Sequence, residues 1–160
     1  MGYDREAAAE YARQWAFLRN PRYMDFDPYG GDCTNFASQC IFAGAKIMNF
    51  TPTFGWYFID SGNRTASWTG VQFLYNFLVN NAGVGPYGKL VSKNQVEVAD
   101  IVQLGDASGR FYHSPVIVRI AGGEIYVAAH TRDVYDYPLS LYRSAMTRFI
   151  KIEGVRERRR

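Results

Sequence analysis

GGDCTNFASQC, residues 30–40, decides how this chain is read. Two glycines and an aspartate stand directly before Cys33, in a chain with only two cysteines. From Thr34 to residue 43 the apolar residues recur at helical spacing, with Phe36, Ala37, Cys40 and Ile41 on one face. Gly44 is a plausible stop. Asp32 suits the N-cap of that helix, which places Cys33 in its first turn. Free amides and the helix dipole stabilise a thiolate there, so Cys33 is a candidate nucleophile. Gly30 and Gly31 let the backbone approach a substrate, and the Cys33 amide could donate to an oxyanion. A buried small hydrophobe is the competing reading, and it is the one that fits Cys40.

Upstream, residues 4–19 predict a helix capped by Asp4, with Ala8, Tyr11, Ala12, Trp15 and Leu18 on its apolar face. Asn20 and Pro21 end it, and residues 21–31 form a loop. Downstream, MNFTPTFGWYFIDSGNRTASW (48–68) has no firm period and reads as a long ordered loop with one short strand near 56–59. Thr69 and Gln72 fit a capping box for a helix ending near Asn80. NNAGVGPYG (80–88) reads as a turn-rich connector. The period then changes. Strands are expected at 101–104, 114–120 and 124–129, with a last one at 149–152. Helices first and strands afterwards predict an α+β fold, N-terminal helices packed on an antiparallel β-sheet.

The two histidines, His113 and His130, flank the pair of strands joined by Gly122 and Gly123. A tight glycine turn brings the start of one strand beside the end of the next, so both map to one end of a hairpin. Cysteine chemistry needs a thiolate, a base and a group that orients the base. His113 is the candidate base. His130 is the candidate orienting residue, with Asp133 as the alternative. Cys33, His113 and His130 could instead supply three zinc ligands, but no HExxH and no paired-cysteine knuckle accompanies them. The pattern therefore calls for no metal and no cofactor.

Composition bounds the rest. At 160 residues, 48% hydrophobic and 21% charged, the chain is one globular domain. The aromatic load of 16% suits a substrate groove as well as a core; residues 54–58 and Trp68 are candidate groove walls. The last five residues carry a net +3, equal to the excess of the whole chain, and read as a solvated basic tail (156–160) after a domain at 1–155. No basic stripe interleaves with the aromatics, so no nucleic-acid partner is expected. If residues 33–40 are helical, Cys33 and Cys40 lie about 10 Å apart along the axis, too far to bridge. No stretch reaches the length of a membrane span. MGYDREAAAEYAR lacks a signal-peptide pattern, as would a domain taken from a longer exported protein.

The blocks GGDCTNFASQ (30–39), TPTFGWY (51–57) and SWTG (67–70), followed by His113-Ser114-Pro115 and Ala129-His130-Thr131, resemble the putative amidase domain family. That family is similar to the NlpC/P60 and CHAP papain-like cysteine hydrolases. Asp100 sits where the wider clan often has Gly-Asp before its first strand, and here Ala99 replaces that glycine. The resemblance covers nearly the whole chain. It implies a papain-like core with the cysteine at a helix start and the histidine opening a strand. It also implies cleavage of amide bonds in cell-wall peptides, and an extracellular or wall-associated place as one module of a longer exported protein. The third catalytic residue varies across the clan, so the resemblance leaves His130 and Asp133 both open. An acyltransferase using the same nucleophile, and a wall-binding module without activity, are the alternatives.

Overall fold

Asp4 accepts a hydrogen bond from the Ala7 amide (3.0 Å) and starts helix α1, Arg5–Trp15. The structure, a computed structural model, describes residues 2–158. Helix α1 is shorter than its sequence pattern predicts, and Leu18 lies beyond it, exposed. Ala8, Ala12 and Ala16 are fully buried, and their small side chains let α1 lie close to the next helix.

That helix, α2 (Cys33–Ala45), is buried on almost every side. Phe36, Ala37, Cys40 and Ile41 are in the core as the periodicity predicts, but so are the polar residues between them. Asn35 and Ser38 explain how. Trp68 Nε1 donates to Asn35 Oδ1 (3.0 Å), Trp56 Nε1 donates to Ser38 Oγ (3.1 Å), and Ser38 Oγ donates to the Trp68 carbonyl (2.9 Å). The polar side chains of α2 thus satisfy the indoles that cover it, as buried polar groups require. Gly44 does not end the helix. Lys46 does, in the left-handed conformation (φ 63°).

The aromatic stretch holds more structure than its lack of period suggests. Asn49 and Trp56 form a bridge, and β1 (Phe58–Asp60) pairs with β2 (Asn63–Arg64). Two helices follow, α3 (Ala66–Thr69) and α4 (Val71–Asn80). Thr69 ends α3 and caps nothing; Gly70 is the N-cap of α4, and Gln72 bonds Asn76 instead of closing a capping box.

The second half builds one antiparallel sheet from β3 (Gly85–Val91), β4 (Ile101–Gly105), β5 (Phe111–His113), β6 (Val116–Ala121), β7 (Glu124–Ala129), β8 (Val134–Pro138) and β9 (Met146–Arg156). The order is β3-β9-β4-β6-β7-β8, with β5 continuing the pairing along β4. The β6–β7 hairpin turns at Gly122 and Gly123, both at positive φ. Strand β3 begins inside the stretch read as a connector. Its Gly88 serves close approach: a Cβ there would lie 2.3 Å from the Lys151 carbonyl of β9. Ala99 has φ 74°, a left-handed conformation that a glycine would adopt without strain. Asp100 beside it is fully buried and accepts from Arg5 and from the Ile152 and Glu97 amides.

Side-chain alternation splits the core in two. Ile101, Val116, Ala128 and Ile150 face the helices; Val102, Leu104, Ile117 and Val127 face the other way, against Tyr137, Leu139 and Tyr142. Arg156, expected to open the tail, belongs to β9; its guanidinium donates to the Asn81 carbonyl (2.7 Å) and lies over the Tyr87 ring. Residues 159 and 160 of that expected tail lie outside the described residues.

Gly44 supplies a test in which two effects oppose. Replacing a helical glycine by alanine raises helix propensity by about 1 kcal/mol. Here the new Cβ would stand 2.6 Å from the Tyr3 ring and 2.7 Å from the Asp4 carbonyl, which is backbone and cannot swing away. Sterics therefore win. Gly44→Ala is expected to lower urea stability by about 1–3 kcal/mol; an unchanged or higher midpoint would show that α1 and α2 are not packed this tightly.

Candidate active site

The loop before α2 is drawn in by Asp32. Its carboxylate is fully buried and does not cap the helix as the sequence suggests. It turns back instead, accepting from the Phe26 amide (2.8 Å), Asn35 Nδ2 (2.8 Å) and His130 Nδ1 (2.5 Å). The Asp32 amide donates to Thr131 Oγ1 (2.7 Å). Gly31 (φ 121°) passes so close to Thr131 that a Cβ would meet Oγ1 at 2.9 Å. Gly31 is thus needed for docking the loop onto the residues that follow β7.

Cys33 follows as the first residue of α2. Its own N–H, at the head of the helix, has no intrahelical acceptor. Cys33 is 8% exposed, a buried residue and not the open thiol that the sequence suggests. Burial pushes it above the ordinary thiol value, more than the Thr34 hydroxyl and the Ser114 and Thr34 amides pull it down. Cys40 is fully buried and is pushed up well above that value by the same cause. Both cysteines are free.

Cys33 Sγ lies 3.9 Å from the Tyr112 carbonyl and also meets the Ser114 amide, so it touches the main chain on both sides of His113. Thr34 Oγ1 and Ser114 Oγ are 3.2 Å apart and tie the helix start to the same strand. No hydrogen bond joins Cys33 to His113. The His113 ring is largely buried, packs on Tyr142 at 5.5 Å, and has its pKa pulled down from 6.5 to about 4 by burial. At neutral pH the ring is uncharged and free to accept a proton.

The hairpin does bring the two histidines to one end of the sheet, but not side by side. Val116 pairs with Ala128, so counting back along the strands sets His130 opposite Ser114. Neighbouring residues on a strand point to opposite faces. His113, the cross-strand partner of Leu104, leaves the sheet on the Tyr142 face. His130 leaves it on the helix face, stacked on Phe36 at 4.0 Å. The expected position of His130, behind His113, is therefore replaced by one behind Asp32. Cys33, His113 and His130 do not converge, and among the described residues no three His, Cys, Asp or Glu side chains form a metal-binding group. Asp133 does not reach His113 either. It pairs with Arg19 (2.9 Å), which also bonds Asp27 and His130 Nε2.

Arg19 and Tyr142 carried no signal in the sequence. Arg19 ends the segment after α1 and meets partners more than a hundred positions away. Burial alone would lower its pKa, but the Asp133 and Asp27 carboxylates raise it above the ordinary value. The expected groove walls also move. Trp56 and Trp68 are fully buried core, and Phe58 nearly so, while Phe54 is exposed. A cavity of about 970 Å³ lined by Phe50, Phe54, Phe73 and Phe77 lies beyond the other end of α2, away from Cys33. A recess of about 350 Å³ lies on the Tyr142 face of the sheet, lined in part by Leu104, Leu139, Tyr142 and Phe149.

These environments set the order and pH of thiol labelling. Cys33 should react with iodoacetamide before Cys40, and its rate should climb only as pH rises past the ordinary thiol range, because burial favours the neutral form. Peptide mass analysis separates the two sites. Fast labelling of Cys33 already near pH 6 would mean a thiolate at rest and contradict this reading.

Comparison with known proteins bears on the same residues. Residues 2–152 match the putative amidase domain family. The uncharacterized protein YhbB of Bacillus subtilis (strain 168) is 31% identical over 135 residues, which is 82% of this chain and 42% of that protein. The uncharacterized protein YjcM of the same organism is 23% identical over 145 residues, 86% of this chain and 33% of that protein. The chain thus spans less than half the length of either relative. No solved structure matches. The family match takes in Cys33, His113 and His130 along with both layers of the fold, and the chain belongs to the putative amidase domain family.

Proposed function

We propose that the domain is a cysteine hydrolase of amide bonds, with cell-wall peptides as its substrate class. The observation that carries this reading is the seat of Cys33. It heads a buried helix, it has a free amide, and its sulfur rests against the main chain that bears His113. A helix-borne cysteine set against an antiparallel sheet supports a papain-like reading of the core and a kinship with the NlpC/P60 and CHAP hydrolases.

The chemistry starts from a neutral pair, since burial favours the thiol of Cys33 and the uncharged ring of His113. The scheme requires the His113 ring, borne on the main chain that the sulfur touches, to turn toward Cys33 Sγ when substrate binds. As Cys33 Sγ attacks the carbonyl carbon, the thiol proton passes to His113. The carbonyl π electrons move to oxygen, where the Cys33 amide stabilises them. The imidazolium then gives its proton to the departing amine, leaving a thioester. Water, deprotonated by His113, hydrolyses that thioester and frees the acid. His130 touches none of the reacting atoms in this scheme. It acts through Asp32 as a positioning residue for the loop that carries Cys33.

The experiment is digestion of peptidoglycan-derived peptides, with new amines read by mass spectrometry. Cys33→Ala should abolish release, and His113→Ala should lower kcat/KM by about 10²–10⁴-fold. The acid limb of the wild-type profile should fall through about pH 4, where His113 takes up a proton and can no longer act as base. Release that persists in Cys33→Ala would overturn the proposal.

A further inference from the structure

Two buried side-chain atoms among the described residues have no hydrogen-bond partner: Arg19 Nε and Tyr142 Oη. Arg19 Nε is compensated by charge, with Asp25 at 3.4 Å and Asp32 at 3.6 Å. Tyr142 Oη has no ion pair of this kind; Arg132 acts on it only at longer range, pulling its pKa down less than burial raises it. A buried hydroxyl with neither donor nor acceptor is unusual in a folded protein and asks for an explanation. Its surroundings supply one. The Tyr142 ring packs against His113 (5.5 Å) and edge-on against Tyr137 (5.1 Å). Burial, Tyr137 and the nearby Cys33 push its pKa up to about 12, so it is a phenol across the working range. Among the described residues no side-chain hydrogen bond engages the His113 ring; His130 bonds Asp32 and Asp133 bonds Arg19.

Resting on the proposed cysteine chemistry, we infer that Tyr142 fills the orienting role and is the positioning residue of His113. A phenol can donate to the lone pair of a neutral imidazole or accept from the N–H of an imidazolium. When the Cys33 thiol proton moves to one ring nitrogen, the N–H on the other nitrogen gains Tyr142 Oη as its acceptor. No proton leaves Tyr142, and the hydroxyl that is unpaired at rest becomes paired as charge develops on His113. The interaction strengthens only in the transition state, which affects kcat and leaves KM alone.

The test uses p-nitrophenyl acetate as acyl donor, with the p-nitrophenolate burst for acylation and intact mass for the site. Wild-type protein should acylate at Cys33. Tyr142→Phe should slow acylation by about tenfold to hundredfold near pH 7, with KM unchanged and the thermal midpoint not lowered, since it removes a hydroxyl that bonds nothing. The deficit should fade at alkaline pH, where the thiol ionises without a base, and should vanish in a His113→Ala background. A wild-type acylation rate in Tyr142→Phe overturns the inference. So does a loss that is uniform across pH, or one that persists without His113. If Cys33→Ala releases p-nitrophenolate as fast as wild type, the hydrolase reading itself fails and Tyr142 falls with it. A dead Cys33→Ala beside an unaffected Tyr142→Phe sinks the tyrosine alone.

Discussion

Everything at the head of α2 depends on one buried carboxylate. Asp32 is removed from water, and such a charge is tolerable only when donors surround it. Three do: a backbone amide from the loop before it, an amide side chain from one turn into α2, and a ring nitrogen from the end of β7. The three come from parts of the chain that are distant in sequence. By binding all of them the carboxylate fixes the loop, the helix start and the strand end as one unit. Cys33, the next residue, has its position set by that unit. Removing either partner of the Asp32–His130 pair would leave a buried charge or ring unmatched, at a cost of about 3–5 kcal/mol.

The sheet then fixes what Cys33 faces. Ser114 and Thr34 lock the helix start to the strand, and the sulfur is held against the main chain around His113. Strand parity separates the two histidines. His130 goes to the helix face and holds the scaffold; His113 goes to the Tyr142 face, where no side-chain hydrogen bond among the described residues engages its ring. This separation suits a site whose resting state is neutral. A hydrogen-bonded thiolate and imidazolium would have to be stabilised in an apolar setting that disfavours charge on both groups.

Much of this was legible in the residues. The start of α2 at Cys33, the four apolar residues on its face, the Gly122-Gly123 hairpin and strand β7 follow from local chemistry that tertiary contacts do not override. The α+β order follows from the change of period. What was not legible depended on partners far along the chain. Asp32 looks like an N-cap until His130 is seen to claim its carboxylate. Strand β3 looks like a connector because of its glycines, of which Gly88 is required by the closeness of β9. Trp56 and Trp68 look like groove walls until Ser38 and Asn35 are seen to satisfy their indoles from within the core. The histidines were placed correctly at one end of the hairpin, but the face each would occupy depends on a register that spacing alone does not reveal.

The division of labour between the two histidines is the central claim, and because the chain has just two, nitrogen-15 NMR of histidine-labelled protein can read each separately. His113 should titrate at about 4, well below the ordinary 6.5, and should shift when Cys33 is alkylated. His130, bonded through Nδ1 to Asp32, should be insensitive to that alkylation. A His113 that titrates near 6.5 and ignores the state of Cys33, with His130 responding in its place, would contradict the account.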